Sequence, residues 1–550
     1  MKKYLLFAIL FFQSILLYSQ ISSKERDFVI TYNSQNIDIK FAYPVNVKAY
    51  SGKYYNNEVT IERNTTDKYI YTLQNTPPST IIKLEYEILE GENTGFQTSF
   101  IAAPSKSSGT IDVFFNHPVD ITYSQGQNAV NLGNMLDDKL ISYINACTTS
   151  LDIAIYNSYS PSSTTGIAGA INNAFARGVQ VRIVYDGSTG SAMIPLLNSS
   201  IPRIASPNNS NYGIMHNKFV IFDANVSDAN KPIVWTGSTN WTVAQIDGPD
   251  KNSAIVIQDQ SLALGYQIEF EEMWGSSTAT PIPFNSRFGP YKMDNTPHTY
   301  NIGGKIVNSY FSPSDGTNGK IIETINSADT DINVATMLIT RTDISAALID
   351  KYTNGLYSIQ LIMDTQNPQG NQKALLQTEI GAARVRTDTS KGVMHHKFMV
   401  VDNYNSSSDP LVLVGSHNWS SAAENKNDEN TLIVHDLNIA NQYYQAFAYL
   451  YKLSGGVISN PLAVENNQKI LNNYLIYPNP SKGIFNIKNE NVVVGNTDIR
   501  IYDASGKRID HQTISNFNTK SFDLTNQPTG IYFVVITNEL GVSHIKIIKQ

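Results

Sequence analysis

Two short segments of the chain combine a histidine, a lysine and an aspartate at the same spacing, His-x-Lys-x-x-x-x-Asp. The first lies in residues 215–223 (MHNKFVIFD) and the second in residues 394–402 (MHHKFMVVD). The six residues are His216, Lys218, Asp223, His395, Lys397 and Asp402. A neutral imidazole is a nucleophile or base and an imidazolium is an acid, so both forms can work near neutral pH. Two such sets in one chain predict a catalytic site.

A second short run follows each segment and adds amide and hydroxyl groups. Both runs have the pattern Gly-Ser-x-Asn-Trp. Their members are Gly237, Ser238, Asn240, Trp241, Gly415, Ser416, Asn418 and Trp419. The asparagines supply amide donors, and we expect the tryptophans to pack in the core or, as the second alternative, to line the pocket wall. Two histidines, two lysines and two asparagines that converge would hold a phosphate group and support covalent displacement without a metal ion.

The distance between the copies indicates a duplicated domain. The histidines are 395 − 216 = 179 residues apart, and the tryptophans are 419 − 241 = 178 apart. A single-residue deletion accounts for the difference, and the offset of 178 pairs Asn252 with Asn430. Each half is roughly 170–180 residues long, which is a usual size for one domain.

Strand and helix patterns alternate around these segments. Alternating apolar residues predict strands at 216–223 and 395–402, on which a histidine and a lysine two residues apart face the same side. Upstream, the strand pattern at 148–157 aligns with the one at 329–338. This alternation predicts an α/β fold with a mainly parallel sheet covered by helices.

The duplicated motif resembles the phospholipase D superfamily of phosphodiesterases over about residues 110–455. The resemblance implies a duplicated α/β double domain, with halves at residues 110–290 and 300–455. One histidine would form a phosphohistidine while the other protonates the leaving alcohol. The lysines and asparagines would bind the non-bridging phosphate oxygens, with serine support. The motif aspartates, although grouped with the catalytic residues, would brace rather than react. No metal ion or cofactor is implied, and we expect a monomer.

The family also tends to place an acidic residue after the Gly-Ser-x-Asn run to hold a histidine. Glu429 fits this position, and we expect it beside His395. The offset gives 429 − 178 = 251, so Lys251 is the expected counterpart in the first half. A carboxylate favours an imidazolium and a cation disfavours it. We therefore predict that His216 is the nucleophile and His395 the general acid.

Other residues near the motifs carry weaker expectations. Asp247 or Asp250 could instead supply a carboxylate to His216. His396 has no counterpart in the first copy, so we expect it to face outward. Cys147 is the only cysteine, cannot form an internal disulfide and is expected to be a small buried residue.

The start of the chain indicates export. Lys2 and Lys3 precede an apolar run at residues 4–17, which is typical of a signal peptide covering residues 1–20. Residues 22–105 contain short alternating strands divided by Asn, Gly, Pro and Ser. They predict an immunoglobulin-like or fibronectin-like β-sandwich.

The other end of the chain is a further all-β module. After a linker at 456–473, residues 474–550 combine a Tyr-Pro-Asn-Pro start with Gly-Ile-Phe and Gly-Ile-Tyr runs. This tail resembles the C-terminal sorting domain of the type IX secretion system. The resemblance implies a partner in that machinery and a protein that is secreted or attached to the cell surface.

Charge limits the substrate only weakly. The formal net charge is −7, and it becomes −7 − 2 = −9 once Lys2 and Lys3 are removed with the signal peptide. A net acidic protein binds nucleic acid poorly unless it has a local basic cleft. Three functions follow: a secreted phospholipase D acting on the headgroup side of phospholipids, a secreted metal-independent nuclease of the same superfamily, and a non-catalytic surface adhesin. An apolar pocket rim would favour lipid, and an open basic groove would favour nucleic acid.

Overall fold

The computed structural model describes residues 21–458 and 474–550, apart from short gaps. The gaps are residues 26, 34–35, 92–93, 159–160, 357, 490–495, 504–507, 516–517 and 539–540. The chain forms two compact units that divide after Ile458. The expected signal peptide and most of the expected linker lie outside the described residues.

A β-sandwich begins the first unit. Its strands are β1 (Ile21–Lys24), β2 (Phe28–Tyr32), β3 (Asn36–Phe41), β4 (Val45–Ser51), β5 (Asn57–Val59), β6 (Ile61–Arg63), β7 (Ile70–Gln74), β8 (Ile81–Ile88) and β9 (Gly95–Ala102). The strand orders are β1-β2-β3-β7-β6 and β5-β4-β8-β9. Alternate residues such as Ile30, Ile39 and Leu84 are fully buried in its core, as the two-residue period of a strand requires.

The first motif-bearing half follows the sandwich. It contains β10 (Ile111–Phe115), β11 (Val130–Asn131), α1 (Leu136–Ala146), β12 (Ser150–Ile155), α2 (Pro161–Ala176), β13 (Gln180–Tyr185), β14 (Arg203–Ala205), β15 (Lys218–Phe222), β16 (Ile233–Gly237), α3 (Val243–Ile246), β17 (Ser253–Ile257) and α4 (Gln260–Trp274). Helix α4 begins at Asp259, whose carboxylate accepts from the Leu262 amide, and it ends at Gly275 in the left-handed conformation.

The second half has the same order of main elements. It contains β18 (Thr299–Ile302), β19 (Lys305–Ser312), α5 (Thr317–Ser327), β20 (Ile332–Thr336), α6 (Thr342–Thr353), β21 (Ile359–Asp364), α7 (Lys373–Leu376), β22 (Val385–Asp388), β23 (Lys397–Val401), β24 (Leu411–Gly415), α8 (Ser421–Asn425), β25 (Glu429–His435) and α9 (Leu437–Leu453). A π-helical turn, Gln377–Gly381, follows α7.

The two eight-stranded sheets have equivalent strand orders. The first is β11-β10-β17-β16-β15-β12-β13-β14 and the second is β18-β19-β25-β24-β23-β20-β21-β22. The expectation of a mainly parallel sheet is wrong. Parallel pairing is confined to β10–β11, β12–β13–β14 and β20–β21–β22, and the other neighbours are antiparallel. Strands β15, β16 and β17 follow one another without a long helical crossover, so they pair as antiparallel neighbours.

A single hydrophobic core joins the halves. It includes Phe219 and Phe398 from the motif strands, Tyr266 from α4, and Tyr443 and Phe447 from α9. The rings of Phe398 and Tyr443 lie 5.1 Å apart, and those of Phe219 and Tyr266 lie 5.2 Å apart. This shared core fixes the two motif strands relative to each other.

The second unit is all-β. Its strands are β26 (Tyr474–Tyr477), β27 (Ile484–Asn489), β28 (Asn496–Asp503), β29 (Arg508–Ser515), β30 (Thr519–Asp523), β31 (Gly530–Asn538) and β32 (Gly541–Lys549). They form sheets of order β26-β27-β30 and β29-β28-β31-β32, with Phe485, Ile499 and Val534 in the core. In the part of the chain that the structure describes, no helix is long and apolar enough to cross a membrane.

Candidate active site

The two motifs meet where the halves exchange backbone hydrogen bonds. The His216 amide donates to the Asp428 carbonyl at 2.9 Å, and the His395 amide donates to the Lys251 carbonyl at 3.0 Å. Each motif strand is thus fixed at its start by the opposite half. The side chains of both histidines are nearly buried, with 4% of His216 and 8% of His395 exposed. The structure therefore brings the two distant motifs into one site.

The motif lysines lie beside the histidines on the same face. The Lys218 ammonium donates to the His216 carbonyl at 2.6 Å, and the Lys397 ammonium donates to the His395 carbonyl at 2.7 Å. Burial lowers the pKa of Lys218 to about 7. Burial, followed by the repulsion from Lys218, lowers the pKa of Lys397 well below its usual range. A bound phosphate anion would restore both charges, because it supplies the missing counter-charge.

Glu429 holds His216, not His395 as expected. The His216 Nδ1 lies 2.7 Å from the Glu429 Oε2. Burial would raise the pKa of Glu429, but His216 and Lys218 lower it overall, so the carboxylate is ionised at neutral pH. It accepts a hydrogen bond from the Nδ1–H group of His216, which keeps the proton on Nδ1 and leaves the lone pair on Nε2. The ring of Tyr156 packs edge-on against the imidazole at 4.6 Å.

An amide holds the second histidine. The His395 Nδ1 lies 3.0 Å from the Asn252 Oδ1, which also accepts from the Ser238 hydroxyl at 3.1 Å. In the other half, the Ser416 hydroxyl donates to the Glu429 carboxylate at 2.8 Å. Ser238 and Ser416 therefore support the partners of the histidines. Asn252 is the equivalent of Glu429, and the two half-sites differ by one charge.

The expected counterpart Lys251 is wrong by one residue. The interval from Trp241 to Asn252 is one residue longer than that from Trp419 to Glu429, so the local offset is 429 − 252 = 177. The Lys251 ammonium instead forms an ion pair with Asp388 at 2.9 Å. The matching Ser–Asn and Ser–Glu contacts identify the correct alignment, which a constant offset could not reveal.

Of three other expectations near the motifs, two are wrong and one is met. His396 is fully buried rather than outward-facing, and its Nε2 lies 2.7 Å from the Nε2 of His117. Asp250 accepts from the Val393 amide, and Asp247 is exposed, so neither is the partner found for His216. The expectation for Cys147 is met, because its thiol is buried and donates to the Ser150 carbonyl.

The motif aspartates lie at the far ends of the motif strands. Asp223 accepts from the backbone amides of residues 148–150, and Asp402 accepts from those of residues 329–331. Both adopt positive φ, 53° and 54°. Four strand residues lie between each aspartate and the lysine of its motif, and each residue step along a strand spans about 3.3 Å. These contacts support the expected bracing role, and any part that the aspartates play in catalysis stays a prediction.

Replacing Asp402 by alanine is expected to destabilise the fold by about 2–4 kcal/mol, because three backbone amides would lose a charged acceptor and alanine disfavours positive φ. The measurement is urea unfolding of the variant and the parent. Asp409→Ala, which removes an exposed carboxylate in the same half, is the control. Full activity per folded molecule is expected for Asp402→Ala. A variant of normal stability but no activity would contradict the bracing role.

The remaining expected site residues are placed by the ends of β16 and β24. Asn240 and Trp241 are buried, as is Trp419, and Asn418 is partly exposed. Among the described residues, the Oδ1 atoms of Asn240 and Asn418 have no hydrogen-bond partner. Sequence reasoning missed Asn252 and Tyr156 as neighbours of the histidines. No group of three His, Cys, Asp or Glu side chains suited to a metal occurs in the described part of the chain.

The buried histidines predict loss of stability in acid. Burial lowers the pKa of His117 and of His216 to about 4, and it lowers the pKa of His395 and His396 well below 6.5. In the unfolded chain these groups titrate near 6.5. Below that pH the unfolded state binds more protons, so stability falls as the pH drops from 6.5 toward 4. The cost at pH 4 is about 3 kcal/mol each for His117 and His216.

Thermal melts at pH 7.5 and pH 5 check this prediction, and we expect a lower melting temperature at pH 5. His396→Asn, which introduces the residue found at the equivalent position 217, should reduce the difference. His511 lies in the tail, and its side chain is 40% exposed. His511→Gln should leave the difference in melting temperature between the two pH values unchanged. A melting temperature independent of pH over this range would count against the prediction.

Comparison with known proteins supports both recognised modules. A family model described as "Cardiolipin synthase, PLD-like domain" matches residues 140–274 and 321–451. A second, described as "Secretion system C-terminal sorting domain", matches residues 475–550. These matches confirm the two resemblances found in the sequence.

The alignments to similar curated proteins cover about a quarter of this chain. A mitochondrial cardiolipin hydrolase of Drosophila melanogaster is 33% identical over 159 residues, which is 26% of this chain and 60% of that protein. A phospholipase D of Rickettsia bellii is 26% identical over 162 residues, which is 28% of this chain and 77% of that protein. The chain thus spans less than two thirds of the Drosophila relative.

Solved structures give matches of lower similarity. The phospholipase D family member Nuc from Salmonella typhimurium is 24% identical, with a TM-score of 0.23. The alignment covers 26% of this chain and 93% of the Nuc chain. A phosphatidylserine synthase from Haemophilus influenzae is 12% identical, with a TM-score of 0.43. The alignment covers 58% of this chain and 84% of the synthase chain.

Proposed function

The chain belongs to the phospholipase D superfamily, and from this premise we propose that it is a phosphodiesterase that hydrolyses phospholipid on the headgroup side through a phosphohistidine. The sorting domain marks it for type IX export, so it is secreted or attached to the cell surface. The observation that carries the proposal is the pair of cross-half contacts, His216 to Glu429 and His395 to Asn252, with a buried lysine beside each histidine.

His216 is the nucleophile in this proposal, for a reason opposite to the one drawn from the sequence. Attack by Nε2 forms the P–N bond and leaves a positive charge on the ring. The Glu429 carboxylate on Nδ1 stabilises that charge as it develops. The earlier reason, a carboxylate beside His395, is wrong, because an amide occupies that place.

His395 is the proton carrier. In the proposed complex the phosphodiester anion offsets the burial and the lysine charges that lower the pKa of His395, so this ring is protonated when the substrate is bound. In the first step the P–O bond to the leaving alcohol breaks, and the Nε2 proton of His395 passes to the leaving oxygen. In the second step neutral His395 takes a proton from water, the water oxygen attacks phosphorus, and the P–N bond breaks to restore neutral His216. Lys218, Lys397, Asn240 and Asn418 are proposed to hold the non-bridging oxygens. The two lysines lie beside the histidines, as this role requires.

An aromatic pair near the His216 segment supports a lipid substrate. The rings of Tyr212 and Tyr291 lie 5.1 Å apart, and Tyr212 precedes His216 by four residues. Because phosphorus is transferred to His216, the diacylglycerol group would stay attached to that histidine through the phosphate. The Drosophila and Rickettsia relatives also carry lipid-hydrolase names.

A nuclease is the second candidate, and two exposed lysines favour it. The Lys391 carbonyl accepts from the Lys251 ammonium, and the Lys426 carbonyl accepts from the Gly213 amide, so one lysine borders each histidine segment. Both could contact a nucleic-acid backbone. They are few for a groove that binds a polyanion, which is why lipid is preferred.

The proposed function is tested by assaying the purified protein on phosphatidylcholine vesicles and on plasmid DNA, each in excess EDTA. We expect release of choline and persistence of activity in EDTA, since Lys218 and Lys397 supply the positive charge that a metal would otherwise provide. Nicking of the plasmid without choline release would select the nuclease. Loss of all activity in EDTA, restored by a divalent ion, would contradict the proposed chemistry.

A further inference from the structure

An exposed apolar turn occupies the segment that joins the two halves. Residues 281–284 are Pro-Ile-Pro-Phe, and Ile282 and Phe284 are 43% and 97% exposed. The Ile282 amide donates to the Trp274 carbonyl, and the Asn285 amide donates to the Ile282 carbonyl. These two backbone hydrogen bonds fix the conformation of the turn. A phenylalanine left almost fully exposed on such a turn suggests a partner, because large apolar side chains are normally buried.

Other apolar side chains extend this surface toward the His216 segment. Tyr291 and Met293 are 55% and 49% exposed, and Tyr54 of the sandwich is 75% exposed. Tyr54, Phe284 and Met293 line a common cavity of about 510 Å³. We call Tyr54, Ile282, Phe284, Tyr291 and Met293 the interfacial surface. It reaches the segment before His216, because Tyr291 packs on Tyr212, four residues upstream of that histidine.

Cations flank the interfacial surface. Lys53 is exposed beside Tyr54, and its ammonium lies 5.8 Å from the centre of that ring. The Arg287 side chain is 44% exposed at the edge of the same cavity. Lys426 is exposed next to the Tyr212 segment. Aromatic and aliphatic side chains bordered by basic ones are the composition that binds an anionic lipid interface.

The nearby acids pair with other basic groups or with Arg287. Glu271 pairs with the buried Arg182, and Asp294 pairs with His298. Glu272 lies 3.6 Å from Arg287, so Arg287 contributes little net positive charge. Among the described residues, no carboxylate lies within 4 Å of the ammonium of Lys53 or Lys426, so these two exposed lysines supply the positive charge beside the interfacial surface.

We propose that the interfacial surface docks the protein on an anionic phospholipid bilayer, with Ile282 and Phe284 entering the boundary between headgroups and acyl chains. The inference rests on the proposed function, since it describes how the protein would reach a phospholipid substrate in a bilayer. Docking here places the membrane near the His216 segment, where the diacylglycerol moiety would lie.

The test is flotation of the full chain with vesicles of phosphatidylcholine and phosphatidylglycerol. It is done in a His216→Ala background so that the lipid composition stays fixed. The double variant Ile282→Ser, Phe284→Ser should bind at least tenfold more weakly. Phe96→Ser is the matched control, because Phe96 is 82% exposed on the sandwich outside the interfacial surface, and it should bind normally. Lys53→Glu with Lys426→Glu should weaken binding most at low salt.

Activity measurements distinguish a failure of the docking surface from a failure of the proposed function. With His216 intact, the Ile282→Ser, Phe284→Ser protein should hydrolyse bis(4-nitrophenyl) phosphate at the normal rate but vesicle lipid at least tenfold more slowly. Vesicle binding that survives the double variant, or that Phe96→Ser weakens equally, would overturn the docking surface. So would retention on an insoluble polysaccharide with no binding to vesicles. Vesicle binding by an intact protein that hydrolyses neither substrate would instead overturn the proposed function.

Discussion

Replacing His216 or His395 by alanine is expected to lower turnover of a phosphodiester by about three to five orders of magnitude. His216 would form the bond to phosphorus and His395 would protonate the leaving alcohol, so neither step proceeds without its histidine. The two act as one unit, and the double variant should be little slower than either single variant. Initial rates with a soluble diester and with lipid vesicles measure the effect.

His435→Ala is the control for the histidine variants. His435 lies at the opposite end of β25 from Glu429 and bonds to Asp409 and Asn308, outside the site. It should retain nearly full turnover. Circular dichroism and a thermal melt verify that each variant is folded. A single histidine variant that is folded and keeps most of its activity would refute a shared site built from two halves.

Replacing Glu429 by glutamine is expected to slow turnover by about 100-fold with little change in KM. Glutamine can still accept a hydrogen bond from the Nδ1–H group of His216. It carries no negative charge, so it cannot stabilise the positive charge that the imidazole gains when Nε2 bonds to phosphorus. Acid-quench trapping of the parent protein with labelled substrate, followed by peptide mapping, identifies the nucleophile. We expect the label on the peptide that contains His216.

Asn252→Asp is the matched variant on the other side. It places a carboxylate beside His395 and favours the imidazolium, so the pKa of that acid should rise. The pH above which the rate falls should therefore be higher in Asn252→Asp than in the parent protein. Glu429→Gln should not raise that pH. Label on the peptide containing His395, or full turnover in Glu429→Gln, would reverse the assignment of the two histidines.

Much of the site follows from local pattern. The histidines and lysines lie two residues apart on strands, so their common face could be predicted from the strand period. The burial of Trp241, Trp419 and Cys147 could likewise be anticipated from residue type. The sheet direction could not, because β15 to β17 pair as antiparallel neighbours although helices occur on either side.

The sequence by itself determined which residues could do chemistry, that they occur twice, and that the chain carries an export module. Only the tertiary structure decided which side chains meet. Glu429 reaches His216 across 213 residues, and Asn252 reaches His395 across 143. These contacts depend on the packing of two sheets around a shared core and on one extra residue in the loop before β17. Periodicity describes neighbours along one strand, whereas the charge beside each catalytic histidine comes from the opposite half.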